Sequence, residues 1–159
     1  MLTAAFSVIL ASSCVSVSLD KNKVVPAKNV RFNAPDSPFE EIDIPNSDKT
    51  WISAVSGNTI SFLSDCQKNS DPTLEQMLTD SFSVLEGLHA SQSETLTYNS
   101  RQALQMTSEG FVDGVPIKMK ALVFKRNSCN YTLTYAGVSK KFPRELDQFS
   151  RFLQSFYAP

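Results

Sequence analysis

The chain has 159 residues, with 15 basic against 16 acidic side chains and a net charge of −1. The two signs are mixed along it, so no stretch has the electrostatic footprint of a nucleic-acid binder or of a protein held by charge on an anionic membrane. Five glycines against eleven phenylalanines, without repeats or low-complexity tracts, exclude a disordered chain and imply one packed core.

Leu2 to Ala11 is apolar apart from Thr3 and Ser7, and it runs into Ala11-Ser12-Ser13-Cys14. A run of this length is a signal-peptide core, far below the ~20 residues a spanning helix needs. Small residues followed by a cysteine look like a bacterial lipoprotein leader. Residues 1–13 are then a signal peptide and Cys14 is the lipid attachment site. Two positions depart from the pattern. Ala11 stands where leucine is favoured, and no Lys or Arg precedes the run, which points to a start upstream or a truncation. An ordinary secretory leader and a buried N-terminal strand are the alternatives. Val15 after Cys14 is not the Asp that retains lipoproteins at the inner membrane, so the expected address is the outer membrane, facing the periplasm.

With Cys14 assigned to lipid, Cys66 and Cys129 remain, an even pair in a compartment that permits disulfides. A structural bridge is expected; two buried free thiols are the alternative.

Residues 14–48 carry Pro26, Pro35, Pro38 and Pro45 and hold no period. They read as a lipidated tether with a reach of roughly 30 Å, in which Val30–Phe32 and Ile42–Ile44 can dock as edge strands. Patterned sequence, and with it the domain at 49–159, begins near Trp51. Trp51–Val55 and Thr59–Cys66 read as a hairpin about Ser56-Gly57-Asn58. A helix follows from Asp71 as N-cap and Pro72 as first residue to about Leu88, with Leu74, Met77, Leu78, Phe82, Leu85 and Leu88 as its apolar stripe. Glu94–Tyr98 is a strand. Arg101–Glu109 and Val115–Lys125 flank an Asp113-Gly114 turn, and Asn130–Gly137 follows Arg126-Asn127-Ser128, giving a three-stranded meander. In the second of these strands Ile117, Met119, Ala121 and Val123 share one face. Lys118 and Lys120 start the other, which turns apolar at Leu122 and Phe124. From Pro143, a last helix presents Leu146, Phe149, Phe152, Leu153 and Phe156. Hairpin, helix, meander and helix predict an antiparallel sheet with helices packed on it, an α+β domain.

The stretch GFVDGVPIKMKALVFKRNSCNYTLTYAG leading into FPRELDQFSRFLQSF resembles the PsbP-like fold. That superfamily includes extrinsic subunits of photosystem II, a Ran-binding nuclear import factor and many bacterial lipoproteins. Its early hairpin, central "dG.p" turn and final helix ending near "SF" are matched at Ser56–Asn58, Asp113–Pro116 and Ser155-Phe156. The resemblance covers roughly residues 50–157 and implies an α-β-α sandwich with a binding or assembly role. It transfers no catalytic residue.

Chemical signals are sparse. His89 is the only histidine and is placed at a helix end, where the dipole or solvent accounts for it. A zinc or His-Cys constellation has nothing to build on, and no motif marks a Ser-Lys pair. Asp65, Asp71 and Glu75 could gather near the first helix, but capping explains Asp71. Glu40-Glu41 reads as a solvated loop, and Asn130-Tyr131-Thr132 as a chance sequon. Trp51, Tyr98, Tyr131 and Tyr135 could line a ligand face, although aromatics at strand spacing are more often core. No cofactor or metal is expected. The leading expectation is a non-enzymatic, lipid-anchored envelope domain docking a protein partner. A small-ligand binder with a pocket between sheet and helix comes second, and a hydrolase last.

Overall fold

The computed structural model describes residues 24–67, 71–89 and 91–159. The expected signal peptide and Cys14 lie outside them. Seven strands form one antiparallel sheet in the order β1-β2-β3-β7-β6-β5-β4. They span Phe39–Ile42, Lys49–Ser53, Thr59–Asp65, Glu94–Tyr98, Arg101–Val112, Val115–Arg126 and Cys129–Val138. Helix α1 is Leu74–Phe82; a 3-10 turn at Phe142–Glu145 leads into α2, Leu146–Ser155.

The meander has four strands rather than three, because β4 pairs with β5 through a turn at Asn99-Ser100. All three of its turns hold two residues at positive φ: Asn99-Ser100, Asp113-Gly114 and Asn127-Ser128. That backbone matches the twist of the flanking strands, and Asn, Asp and Gly tolerate it best.

The central strand β6 is buried on both faces, which splits the core in two. On one face Met119, Ala121 and Val123 meet Met77, Leu78 and Phe82 of α1. On the other, Leu122 and Phe124 join Trp51, Ile60, Phe62, Tyr131, Leu133 and Tyr135 under Phe149, Phe152 and Phe156 of α2. Each fully buried Phe stabilises the fold by roughly 1.5–3 kcal/mol. The result is the expected α+β sandwich, with one helix on each face of the sheet.

Two boundaries differ from the sequence reading. Thr73, not Asp71, caps α1, in a reciprocal box. Its Oγ1 accepts from the Gln76 N–H at 3.1 Å, and Gln76 Oε1 accepts from the Thr73 N–H at 2.8 Å. The helix then stops at Phe82, since the chain turns to pair Glu86 with Phe111 of β5. Leu85 is therefore buried from a loop, and Leu88 is 44% exposed.

The second difference concerns the tether expected at 14–48. Residues 24–48 are part of the folded body. The Ala27 N–H donates to Ser64 Oγ at 2.7 Å, Arg31 pairs with Tyr157 through two backbone bonds, and the Asn33 N–H donates to Ser155 Oγ at 2.9 Å. The Phe32 ring lies 5.2–6.2 Å from those of Trp51, Phe62, Phe152 and Phe156. β1 adds an edge to β2, as part of the sheet. An extended, proline-bearing segment suits this path, because its partners are supplied by β2, β3 and the far end of the chain.

Candidate functional site

Among the described residues, three of the regions that collect polar or reactive side chains bear on function. The first is the disulfide end of the sheet. Asp65 of β3 faces Asn130 of β7, so Cys66 and Cys129 are the next opposed pair. The Cys66 N–H turns outward to the Val25 carbonyl at 2.8 Å. In an antiparallel ladder such a non-hydrogen-bonded pair brings its side chains closest. The Cα atoms are 4.0 Å apart and the sulfurs are bonded. Beside the bridge runs an open groove of about 680 Å³ lined by Cys66, Gln67, Asp71, Lys125, Asn127 and Cys129. Lys125 forms an ion pair with Asp71 and donates to the Pro72 carbonyl at 2.6 Å. Asp65 accepts from the Gln67 N–H at 3.1 Å, and Glu75 is exposed on α1. The acidic trio therefore does not converge.

The second region is a buried polar network joining the β2–β3 turn to the 3-10 turn. Glu145 accepts from Ser53 Oγ at 2.7 Å through one oxygen, and from Ser56 Oγ and Asn58 Nδ2 (3.0 Å) through the other. Asn58 Nδ2 also reaches Tyr135 Oη at 2.8 Å and the Lys141 carbonyl at 3.0 Å. Tyr135 in turn donates to the Phe142 carbonyl at 2.8 Å. Burial, with the Glu145 charge behind it, pushes the Tyr135 phenol up to about 12. Burial also raises Tyr98, whose hydroxyl donates to the Leu153 carbonyl at 2.7 Å.

A serine within reach of a carboxylate is the arrangement that would favour a hydrolase. Here Ser53 and Ser56 are 2% and 4% exposed, closed off from solvent. A substrate carbonyl cannot reach their hydroxyls. Sequence reasoning missed this network; its one signal is Glu145 at the start of an otherwise apolar helix face.

The third region lies at the opposite end of the sheet from the disulfide. On the α2 side of β6, Lys118 and Lys120 are half-buried at the margin of the apolar core, and Lys118 Nζ stands 5.6 Å from the centre of the Phe142 ring. Lys140 and Arg144 are exposed and Lys141 half-buried.

The remaining sequence candidates are structural. Trp51, Tyr131 and Tyr135 are core residues, and Tyr98 packs against them. His89 is not at a helix end. Its N–H donates to the Glu109 carbonyl at 2.9 Å and its own carbonyl accepts from Ser108 Oγ at 2.9 Å, which fastens the loop after α1 to β5. Among the described residues no three His, Cys, Asp or Glu side chains are grouped to hold a metal, and no helix is long and apolar enough to cross a membrane.

A seven-stranded antiparallel sheet carrying one helix on each face, with a hairpin before the first helix and a helix at the end, is a PsbP-like fold. No protein-family model matches the chain, and no curated protein matches it in sequence. Solved structures do match. Cyanobacterial PsbP (CyanoP) from Synechocystis sp. PCC 6803 has a TM-score of 0.58 at 13% identity, covering 82% of this chain and 86% of that one. LpqN, involved in cell envelope biogenesis of Mycobacterium tuberculosis, has a TM-score of 0.58 at 12% identity and covers 88% of each chain. PA94 from Pseudomonas aeruginosa, a protein of unknown function, has a TM-score of 0.51 at 11% identity, covering 77% and 83%. At these identities the likeness is one of fold.

Proposed function

We propose that this chain is a non-enzymatic accessory domain of the bacterial envelope, lipid-anchored through Cys14, facing the periplasm from the outer membrane and docking a protein partner. The Cys66–Cys129 disulfide carries the reading, since such a bridge persists in an oxidising compartment and is rare in a reducing one. The leader pattern before Cys14 agrees with it, as does the fold shared with an envelope-biogenesis protein. The first described residues leave the body beside the disulfide, so an anchor at Cys14 would hold that end toward the bilayer. The buried hydroxyls of Ser53, Ser56 and Tyr135 and the Glu145 carboxylate are committed to joining elements, and the groove beside the disulfide is open. Both features favour a docking role over catalysis or a small ligand.

The test is made in the native host. Wild-type protein is expected in the membrane fraction with acyl chains on the N-terminal peptide by mass spectrometry, and Cys14→Ser is expected in the soluble fraction. Crosslinking in intact cells should recover the same neighbour repeatedly. Unacylated wild-type protein, or a wild type and variant that fractionate alike, overturns the anchor; no reproducible neighbour overturns the docking role.

A further inference from the structure

We infer that the end of the sheet remote from the disulfide is the docking surface, and that it takes an acidic segment of a partner protein. Strand register builds it. Lys118 lies opposite Gly137 and Lys120 opposite Tyr135, which brings both beside the loop and turn that carry Lys140, Lys141 and Arg144. Among the described residues none of these five cations has an ion-pair partner. The carboxylates around them are few. Glu145 is buried and accepts from Ser53, Ser56 and Asn58, and Asp147 is held by Arg151. Glu109 lies opposite Lys118 on β5, but the Lys118 ammonium is over Phe142. The whole chain is at −1, so taking these five cations out leaves −6. The corner is a local concentration of charge, not a sample of the surface.

An apolar anchor adjoins it. Phe111 shares the face of Glu109 and stands one step beyond the Glu109–Lys118 pair, 41% exposed. α2 covers the other half of this sheet face and leaves Thr107, Lys118 and Lys120 at least partly open. A basic floor with an aromatic at its rim complements an acidic chain carrying an apolar side chain. Position argues against the protein's own bilayer as the occupant. Lys118 stands eight residues up β6 from Arg126, roughly 26 Å from the end where the N-terminal segment leaves.

This inference deepens the proposed docking role, and its test does not depend on the anchor. The full chain is titrated by NMR with a short glutamate-rich peptide holding one central phenylalanine, and with its glutamine-substituted twin. The glutamate peptide is expected to shift the amides around residues 118–120 and 140–144, more weakly as salt rises, while the twin leaves them in place. Lys118→Glu with Lys120→Glu should weaken binding about tenfold. Lys140→Glu with Arg144→Glu, both on exposed side chains, does the same should the first pair fail to fold. Lys28→Glu with Arg101→Glu, exposed and equal in charge change, should leave affinity unchanged. Equal affinity across these variants, equal binding of the twin, or shifts produced by phosphatidylglycerol vesicles but not by the peptide would each overturn it.

Discussion

Gly137 of β7 faces Asn58 so closely that a Cβ built on it would stand 1.9 Å from Asn58 Oδ1. Asn58 is fully buried, and the two hydrogens of its amide nitrogen are shared among Tyr135, Lys141 and Glu145. Gly137→Ala must therefore displace the residue that ties the β2–β3 turn to the 3-10 turn. A loss of about 3 kcal/mol is expected, at the upper end for overpacking. The midpoint of urea unfolding measures it, and an unchanged midpoint would show that Asn58 moves aside freely.

Glu145→Gln keeps the shape but turns an amide NH₂ toward Ser53 alone or toward Ser56 and Asn58 together. One or two buried partners lose their acceptor, at a cost of about 1–3 kcal/mol. The same replacement at exposed Glu75 serves as the reference and should be close to neutral. Equal midpoints for the two variants would mean that the network contributes nothing.

Stability should fall at alkaline pH. Burial raises the phenols of Tyr98 and Tyr131 above the ordinary tyrosine value, and that of Tyr135 to about 12. Between the unfolded value near 10 and that folded value, the unfolded chain has released a proton that the native Tyr135 still holds. By linkage the native state then loses stability as pH rises, and the loss ends above the folded value. Denaturation midpoints across this window should drop, less steeply in Tyr135→Phe. A flat profile would contradict the burial of these hydroxyls.

Replacing Cys66 and Cys129 together by serine removes a crosslink over a sequence separation of 63. In the chain-entropy model about 4 kcal/mol of stability goes with it. Wild-type protein under reducing conditions should approach the variant's midpoint; a midpoint that ignores reductant would mean the two thiols are free.

Phe32→Ala tests whether residues 24–48 belong to the body. Phe32 touches four aromatic rings from β2, β3 and α2 or its end, so a loss of about 3 kcal/mol is expected. A free tether would show no change. Proteolysis should likewise spare the chain beyond Ala27 while the fold is intact.

The strands and second helix were legible because their signals are local. Alternating burial in Ile60, Phe62 and Ser64, the Asp113-Gly114 turn, and the spacing of Phe149, Phe152 and Phe156 all sit within a few residues of one another. The Cys66–Cys129 pairing could be read from parity and compartment. What escaped depends on distant partners. Val30–Phe32 could be marked as a patch able to dock, but not its partners: Arg31 finds Tyr157 and Phe32 finds Phe156 across almost the whole chain, and no periodicity within 24–48 announces either contact. Leu85 and Leu88 continue the helical spacing, so nothing nearby showed that Glu86 would leave α1 for β5. The basic corner was invisible for the same reason: only the register of β6 against β7 brings Lys118 and Lys140 to the same end of the sheet.

The crosslink between β3 and β7 also decides how the body answers force. A pull applied through residue 24 first strains the bonds of Val25, Ala27, Arg31 and Asn33, which are spread along one path and can give way in turn. Beyond them, the covalent link at Cys66 prevents β3 from being torn from β7 at that end. Mechanical load on the N-terminal segment would then peel off the strap ahead of β1 while β3 and β7 stay joined.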